Sequence, residues 1–267
     1  MATVIDLAGQ VALVTGGARG VGAGITRALL AAGADVVVCG RTEPEKLPAV
    51  DGREPVFRRV DVRDAAAATA LVTGVASTYG RLDLLVNNAG GAPYAPAETA
   101  SARFHSSIVA LNLLAPLTLS QAAVPIMRAQ GGGSIVMISS ISALRPSPGT
   151  ASYGAAKAGL NSLVATLAVE WAPLVRVNGL VVGPVRTEQA HLHYGDDEGV
   201  AAVGATIPLG RLAEPDDVGG VCVFLASTLA RYLSGALIAV HGGGERPPHL
   251  DVANAANTTK RTGEEGQ

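Results

Sequence analysis

Aromatic residues are scarce in this sequence, since Phe, Trp and Tyr together make up 3% of its 267 residues. Glycine, in contrast, occurs 33 times, and 48% of the residues are hydrophobic. A chain of this length and apolar content can bury one large core, and single α/β domains often reach this size. The composition therefore predicts one folded core with tight backbone packing and many turns.

An excess of charge of either sign is also missing. The chain has 20 Lys and Arg residues against 22 Asp and Glu residues, a formal net charge of −2. Proteins that bind nucleic acids through their phosphates usually carry a clustered basic excess. We therefore expect no nucleic-acid partner.

Cysteine is rare as well, with only Cys39 and Cys222. Both lie in apolar runs, so we interpret them as small buried hydrophobic residues and not as a disulfide or a metal pair. No uninterrupted apolar run reaches the ~18 residues that span a bilayer. The first ten residues, MATVIDLAGQ, lack the basic start of a signal peptide. We expect no membrane partner and a reducing, cytoplasmic location.

Short β-branched runs alternate along the chain with longer segments rich in Ala and Leu. The β-branched runs, with turn residues between them, predict seven strands, at 11–15, 34–39, 55–60, 82–86, 134–139, 175–181 and 236–240. The longer segments have apolar residues at helical spacing. The predicted helices cover 20–32, 64–79, 98–129, 151–171 and 215–227. Pro116 and Pro125 are expected to kink or split the third of them. This alternation predicts a parallel sheet with helices on both faces.

Two segments depart from the alternation. Residues 187–212 follow the sixth strand, and their position favours a substrate lid over an ordinary connection. From residue 245 the chain becomes polar and poor in large apolar residues. We therefore predict one domain over 1–244 and a loosely held tail over 245–267.

A glycine-rich turn, T-G-G-A-R-G-V-G at 15–22, joins the first strand to the first helix. Glycines let the backbone turn sharply there and let a phosphate approach the free N–H groups of the helix N-terminus. The turn therefore predicts a phosphate-binding site of a nucleotide cofactor.

The spacing T-G-x-x-x-G-x-G resembles that of the short-chain dehydrogenases/reductases. The resemblance continues with N-N-A-G at 87–90, with Y-x-x-x-K at 153–157 and with a serine thirteen residues before that tyrosine, and it covers roughly residues 7–244. It implies an α/β Rossmann-type doubly wound fold, with a seven-stranded parallel sheet and helices on both faces. It also implies an NAD(P)-dependent oxidoreductase that interconverts a ketone and a secondary alcohol by hydride transfer.

The resemblance places the cofactor in loops at the carboxyl ends of the strands, where ligands bind in open α/β sheets. Asn87 would stabilise the end of the sheet. In the loop after the sixth strand, Val182 stands where the family usually has proline, and we expect that loop to be slightly looser. The implied cofactor residues are Gly16, Arg19, Gly20, Val21, Gly22, Arg41, Asp61, Val62, Asn88, Ala89, Gly90, Tyr153, Lys157, Gly183, Val185 and Thr187.

The choice between the two nicotinamide cofactors is predicted at the end of the second strand. By the family's pattern, Gly40 occupies the position at which NAD enzymes carry an acid for the ribose hydroxyls. Arg41 follows it, and Arg19 adds positive charge nearby; arginine suits a 2′-phosphate. We therefore favour NADP(H), with NAD(H) possible. In the alternative interpretation both arginines are solvated and selectivity is slight.

The catalytic residues implied by the resemblance are Tyr153, Lys157, Ser140 and Asn112. Tyr153 would exchange a proton with the substrate oxygen, and the nearby ammonium of Lys157 would favour its phenolate. Lys157 would also bond the nicotinamide ribose, and Ser140 would hold the reacting oxygen. Asn112 would shape its helix and anchor a proton-relay water; the alternative is an ordinary asparagine at a helix kink.

Substrate contacts are predicted at Ser140, Tyr94, Leu144 and His191. Because most of these walls are apolar, the substrate is expected to be alicyclic, steroid-like or a 3-oxoacyl thioester. We interpret Arg145 as solvated. His191 and His193 lack a companion ligand in register, so no metal is expected.

Other classes of protein fit the sequence less well. A catalytically silent NADP-binding redox sensor is the main alternative, although such proteins typically lose the Tyr/Lys pair. A methyltransferase on a similar sheet has no use for Y-x-x-x-K, and an epimerase or dehydratase normally carries a larger C-terminal substrate domain. Helix 151–171 has small or apolar residues on nearly all sides, so we expect a homo-oligomer, a tetramer.

Overall fold

The computed structural model of the chain describes residues 5–245 and 247. Seven strands form one parallel sheet in the order β3-β2-β1-β4-β5-β6-β7. The strands are β1 Val11–Thr15, β2 Asp35–Gly40, β3 Val56–Arg59, β4 Leu84–Asn87, β5 Gly133–Ser140, β6 Val175–Val182 and β7 Leu237–Val240. The predicted doubly wound fold and its seven parallel strands are confirmed.

Helices cover both faces of this sheet. They are α1 Gly20–Ala31, α2 Ala65–Tyr79, α3 Ala102–Val109, α4 Ala115–Ala129, α5 Ala151–Glu170, α6 His191–Tyr194, α7 Asp197–Ala205 and α8 Pro215–Ala226. Helices α1 and α8 pack on one face, and α2, α4 and α5 pack on the other. Because both faces are covered, the central strands β1 and β4 are buried at every residue.

Short-range signals mark several helix ends as the sequence predicts. The Asp64 side chain accepts hydrogen bonds from the N–H groups of Ala66 and Ala67 at the start of α2. Gly33 follows α1 with a φ of +94°, a conformation that glycine adopts without strain. The predicted start of the third helix at residue 98 is wrong, because the N-cap is Ser101, whose Oγ accepts the N–H of Phe104.

Helices α3 and α4 join through a π-helical turn, Ala110–Leu114. Pro116 lacks the N–H that an α-helix would use at this point, and the hydrogen bonding changes to the wider π pattern just before it. Pro125 lies inside α4 without ending it. The expected kink or split therefore falls at the π turn before Pro116, whereas Pro125 does not interrupt α4.

The combined helical stretch Ala102–Ala129 is apolar enough, by length and composition, to cross a membrane; its most apolar window has a mean hydropathy of 1.6. A helix in the core of a folded domain has the same property. Leu119, Ala123 and Met127 are fully buried and pack with the sheet in one hydrophobic cluster. These contacts are those of a core helix.

The predicted lid, 187–212, leaves and rejoins the domain at a single point. Arg186 N–H donates to the Ala213 carbonyl at 2.8 Å, and Ala213 N–H donates to the Pro184 carbonyl at 3.0 Å. Between these ties the segment contains α6 and α7. The prediction for the tail concerns residues that lie almost entirely outside the described part of the chain.

Glycines allow α1 and α8 to pack with their backbones close together. A Cβ added to Gly219 in α8 would lie 2.7 Å from the Ala28 Cβ and 2.7 Å from the Gly24 carbonyl oxygen. The neighbouring Gly220 faces open space, with nothing within 4 Å of an added Cβ. These adjacent glycines therefore differ in what a methyl group would meet.

Gly219→Ala is expected to destabilise the protein by about 1–3 kcal/mol, because the added methyl forces the two helices apart. Gly220→Ala is the matched control and is expected to stabilise it by about 0.5–1 kcal/mol, since alanine costs less conformational entropy in a helix. Urea unfolding of the three proteins measures both values. Equal stability of the two variants would contradict the close packing of α1 and α8.

Candidate active site

A cleft of about 710 Å³ opens at the carboxyl ends of the strands. Its centre lies between β1 and β4, where the strand order reverses and where open α/β sheets bind their ligands. The glycine-rich turn forms one part of the cleft, and Tyr153 and Lys157 of α5 form another. The sheet therefore brings together residues that are far apart in the sequence.

The glycine-rich turn brings the start of α1 against β1. A Cβ added to Gly22 would lie 2.1 Å from the Gly16 carbonyl oxygen, so only glycine fits there. Gly16 and Gly20 have φ values of +64° and +53°, which side chains rarely adopt. The N-terminus of α1 consequently faces the cleft with no side chain of these glycines in the way.

The end of β4 is tied to this turn by a small hydrogen-bond network. The Asn88 Nδ2 donates to the carbonyls of Thr15 and Gly16, at 2.9 and 3.2 Å. The Thr15 Oγ1 accepts the N–H groups of Asn88 and Ala89, at 3.0 and 2.9 Å. The network fixes the predicted cofactor residues of two strands relative to each other.

Asn87 has a structural role at the end of the sheet, as predicted. It is buried, and its Nδ2 donates to the Ser120 Oγ at 3.0 Å. This bond joins the end of β4 to α4.

Charged residues gather at the end of the cleft formed by β2 and β3. Asp61 accepts two side-chain bonds from Arg63, and this pairing lowers the pKa of the Asp61 carboxyl to about 2. Arg41 and Arg19 line the cleft and form no ion pair within residues 5–245 and 247. Two cations are thus available here for an anion.

Lys157 is almost fully buried, at 3% exposure. Its Nζ donates to the Ile138 carbonyl at 2.7 Å and lies 5.6 Å from the centre of the Tyr153 ring. Burial of the ammonium lowers the pKa of Lys157 from 10.5 to about 8. Helix α5 places both residues one turn apart on the same side, as Y-x-x-x-K predicts.

Ser140 ends β5 and faces the Tyr153 phenol. The Ser140 Oγ accepts the Ser142 N–H at 3.2 Å, which leaves its hydroxyl hydrogen free to bond another group. Burial raises the pKa of Tyr153, and the Ser140 hydroxyl acts in the opposite direction. The expected lowering of the Tyr153 pKa by Lys157 is therefore not found in the protein alone, because burial dominates.

Asn112 lies in the π turn and is fully buried. Its Oδ1 accepts the Gly91 N–H at 2.9 Å, and its Nδ2 donates to the carbonyls of Gly91 and Ile108, at 3.0 and 2.9 Å. The side chain thus holds the loop after β4 against the helix. Its catalytic role stays a prediction.

Strand pairing extends to Val182, where the sequence predicts a slightly looser loop; the looser loop stays a prediction. Val182 continues β6 and pairs with Ser140 on one side and Val240 on the other. Gly183 N–H then donates to the Val240 carbonyl at 3.0 Å. Sheet pairing thus restrains the backbone at the position where the family usually has proline.

The predicted substrate residues are less well gathered than the cofactor residues. Ser140 lines the cleft, whereas Tyr94, Leu144 and His191 lie outside its lining. Tyr94 packs its ring over Gly149 and remains 72% exposed. Their contact with substrate stays a prediction.

Sequence reasoning missed several residues that line the cleft. His193, in the single turn α6, lines the cleft, whereas the predicted His191 does not. Arg63 pairs with Asp61, and Glu188 reaches the start of α1. The further lining residues that were not predicted include Cys39, Thr42, Glu43, Pro44, Phe57, Leu111, Ile138 and Gln189.

The two cysteines and the candidate metal ligands were also interpreted from the sequence. Cys39 and Cys222 are free and buried, as interpreted from the sequence, and burial raises the pKa of their thiols to about 11 and about 12. Within residues 5–245 and 247, no three His, Cys, Asp or Glu side chains gather as metal ligands would.

The residues present fit a dinucleotide. The turn has no room for a Cβ at Gly22 and leaves the start of α1 open to a phosphate. The cleft continues from Arg41 past the glycine-rich turn to Tyr153. Fold and cleft together define a dinucleotide-binding protein of the Rossmann type.

Comparison with known proteins narrows this class. Residues 16–245 match the family model described as enoyl-(acyl carrier protein) reductase. Human dehydrogenase/reductase SDR family member 4 is 35% identical over 244 residues, which cover 89% of this chain and 88% of the relative. D-threitol dehydrogenase of Mycolicibacterium smegmatis is 38% identical over 243 residues, covering 89% and 93%. The chain belongs to the short-chain dehydrogenase/reductase family, whose members are NAD(P)-dependent oxidoreductases.

A solved structure agrees with this assignment. It is provisionally assigned as an NAD(P)-dependent gluconate 5-dehydrogenase of Beutenbergia cavernae and holds NADP at low occupancy. It is 38% identical to this chain, covers 90% of it and 98% of its own length, and superposes with a TM-score of 0.83. A further relative, the 3alpha-hydroxysteroid dehydrogenase of Mediterraneibacter gnavus, is 33% identical over 244 residues, covering 88% and 97%.

The lowered pKa of Lys157 has a consequence for stability. Below pH 8 the lysine is charged in both states, and the folded state bears the full cost of burying it. Between pH 8 and 10.5 only the unfolded chain keeps the proton on this lysine, so the contribution of Lys157 to stability rises with pH.

Relative to Lys157→Met, the wild type without cofactor is expected to gain at most about 3 kcal/mol between pH 8 and 10.5. Urea unfolding across this range measures the difference. Lys46→Met is the control, since Lys46 is exposed and its removal should leave the pH dependence unchanged. Parallel curves for the wild type and Lys157→Met would show that the buried amine does not titrate in this range.

Proposed function

We propose that this protein interconverts a ketone and a secondary alcohol with NADP(H), and that Tyr153 is its acid or base. The observation that carries the proposal is that Tyr153, Ser140 and Lys157 line the same cleft as the glycine-rich turn. Hydroxyl, phenol and ammonium groups are the donors that a reacting carbonyl oxygen needs. The match to NAD(P)-dependent oxidoreductases supports the chemistry.

In this proposal the nicotinamide, when bound, supplies or accepts the hydride. Tyr153 donates its phenolic proton to the substrate oxygen in reduction and removes it from the alcohol in oxidation. Because burial raises the pKa of Tyr153, the phenol keeps its proton near neutrality, which suits the donor role. Oxidation requires the phenolate, which nearby positive charge stabilises.

Ser140 and Lys157 assist the proton transfer. The Ser140 Oγ already accepts the Ser142 N–H, so its own hydrogen is available to the substrate oxygen. Lys157 is only 3% exposed, so solvent screens its charge weakly and the charge acts strongly on neighbouring groups. We propose that its remaining N–H bonds reach the nicotinamide ribose.

The preference for NADP(H) is part of the proposal. Arg41 and Arg19 carry charges without ion-pair partners among the described residues, and both line the cleft. Gly40 leaves no acid at the end of β2 to oppose a 2′-phosphate. Guanidinium groups bind phosphates through paired, charge-assisted hydrogen bonds.

We propose an apolar substrate, which is alicyclic, steroid-like or a 3-oxoacyl thioester. Leu111, Val185 and Tyr194 contribute apolar surface to the cleft that Tyr153 lines. The names of the relatives support a dehydrogenase reaction, but they do not indicate one carbon skeleton for the substrate, since they include both D-threitol and a 3alpha-hydroxysteroid. Those names are of dehydrogenases and reductases, and the Tyr153–Lys157 pair is intact, so nothing favours a silent redox sensor.

A homotetramer is also proposed. In the single chain, one side of α5 exposes small or apolar residues, namely Ala155, Ala158, Ser162, Ala165, Thr166 and Val169. Val169 is 80% exposed, which a partner subunit would cover. The smooth surface of such a face suits close packing of one helix on another.

Tyr153→Phe is expected to lower kcat by about 10²–10⁴-fold, because the variant keeps the ring and loses the proton. NADPH affinity should change little, which a fluorescence titration checks in the same preparation. The control is Tyr232→Phe, since Tyr232 is fully exposed and away from the cleft lining. Unchanged turnover of Tyr153→Phe on a substrate that the wild type accepts would refute the role of this phenol.

Arg41→Ala is expected to weaken NADPH binding by about 10–100-fold, because a charged hydrogen bond to phosphate is lost. NADH lacks that phosphate, so its Kd should stay nearly the same. Arg58→Ala removes an equal charge from β3, outside the cleft lining, and serves as the control. Equal weakening of NADH and NADPH would remove the basis for the proposed preference.

A further inference from the structure

Glu188 makes a contact that the family motif does not explain. Its Oε1 accepts the Gly20 N–H at 3.0 Å, across a sequence separation of 168 residues. Gly20 is the first residue of α1, and Glu188 lies near the start of the lid, directly after Thr187. A carboxylate therefore occupies the helix end that the dinucleotide's phosphates are proposed to use.

Helix α1 has no other anion at this end among the described residues. Its N-cap, Arg19, makes no capping hydrogen bond, and no acidic residue lies in its first turn. The free N–H groups and the helix dipole favour a negative charge there. Glu188 supplies that charge from a different part of the chain.

The lid approaches the glycine-rich turn at the same point. A Cβ added to Gly20 would lie 3.5 Å from the Thr187 Cγ2 and 3.8 Å from the Glu188 Oε2. Thr187 and Glu188 both line the cleft. The first residues of the lid therefore lie over the proposed phosphate site.

We propose that Glu188 is a resident anion that competes with the cofactor's pyrophosphate and holds the start of the lid until the cofactor displaces it. This rests on the proposed function, because it takes the dinucleotide to bind at the turn. One N–H cannot serve both anions at full strength, and two negative charges in that space repel each other.

Displacement has a structural consequence for the lid. Only Gln189 and Ala190 separate Glu188 from α6, so release of the carboxylate removes one attachment of the segment that leads into that helix. The ties between Arg186 and Ala213 stay in place, because they lie outside the lid. Cofactor binding would then loosen the lid at its start while its base stays fixed, which prepares the cleft to admit substrate second.

The test uses the full chain and two measurements on Glu188→Ala. NADPH titration followed by nicotinamide fluorescence should show a Kd lower by about two- to five-fold, because the competing anion is gone. Thermal unfolding without cofactor should show a Tm lower by about 1–3 °C, because the carboxylate that bonds the N-terminus of α1 has been removed. Both changes together are the expected result.

Glu198→Gln is the matched control, because it removes the same charge from an exposed site in the first turn of α7. It should leave the Kd for NADPH unchanged. A Kd that is unchanged or raised in Glu188→Ala would overturn the competition, and an unchanged Tm would overturn the resident contact with α1. If the wild type binds neither NADPH nor NADH, the proposed function fails and this inference fails with it. If the wild type binds either cofactor, the results for Glu188→Ala test this inference alone.

Discussion

The close approach of α1 to the end of β1 is the contact on which the rest of the site depends. A Cβ at Gly22 would lie 2.1 Å from the Gly16 carbonyl oxygen, so a side chain at this position would push the helix away. The same helix meets α8 at Gly24, where a Cβ would lie 2.3 Å from the Pro215 carbonyl carbon. Because α1 is held tightly at both places, its N-terminus keeps a fixed position relative to the ends of β1 and β4, where Asn88 joins the turn.

Burial controls the chemistry on the opposite side of the cleft. It lowers the pKa of Lys157 from 10.5 to about 8 and raises that of Tyr153 above 10.0, so the folded protein places the two groups further apart in proton affinity than they are in water and reverses their order. Each group is then sensitive to any charge that enters the cleft. The Ile138 carbonyl holds the ammonium at 2.7 Å, so the lysine cannot move away to reach solvent. The sheet thus fixes the position of the charge, and helix α5 fixes that of the phenol.

Much of this architecture follows from local sequence patterns, and the errors have physical causes. The strands, the Asp64 cap and the terminating Gly33 depend on short-range periodicity and hydrogen bonding, which a sequence displays directly. The contact of Glu188 with Gly20 spans 168 residues and has no local pattern. The place of His191 in a single-turn helix also depends on how residues 187–212 fold back, so no local pattern indicates that His193 lines the cleft and His191 does not.

The loop after β6 shows why a departure from a family motif need not weaken a site. Proline restrains a loop by fixing φ, although it lacks a hydrogen-bond donor. At Val182 the restraint comes from pairing with Ser140 and Val240. Gly183 then packs against His241: a Cβ added to Gly183 would lie 2.8 Å from the His241 Cβ. Because the sheet and this close packing hold the backbone on both sides, the residue type at 182 matters less than the length of β6, which ends where the proposed nicotinamide contacts begin.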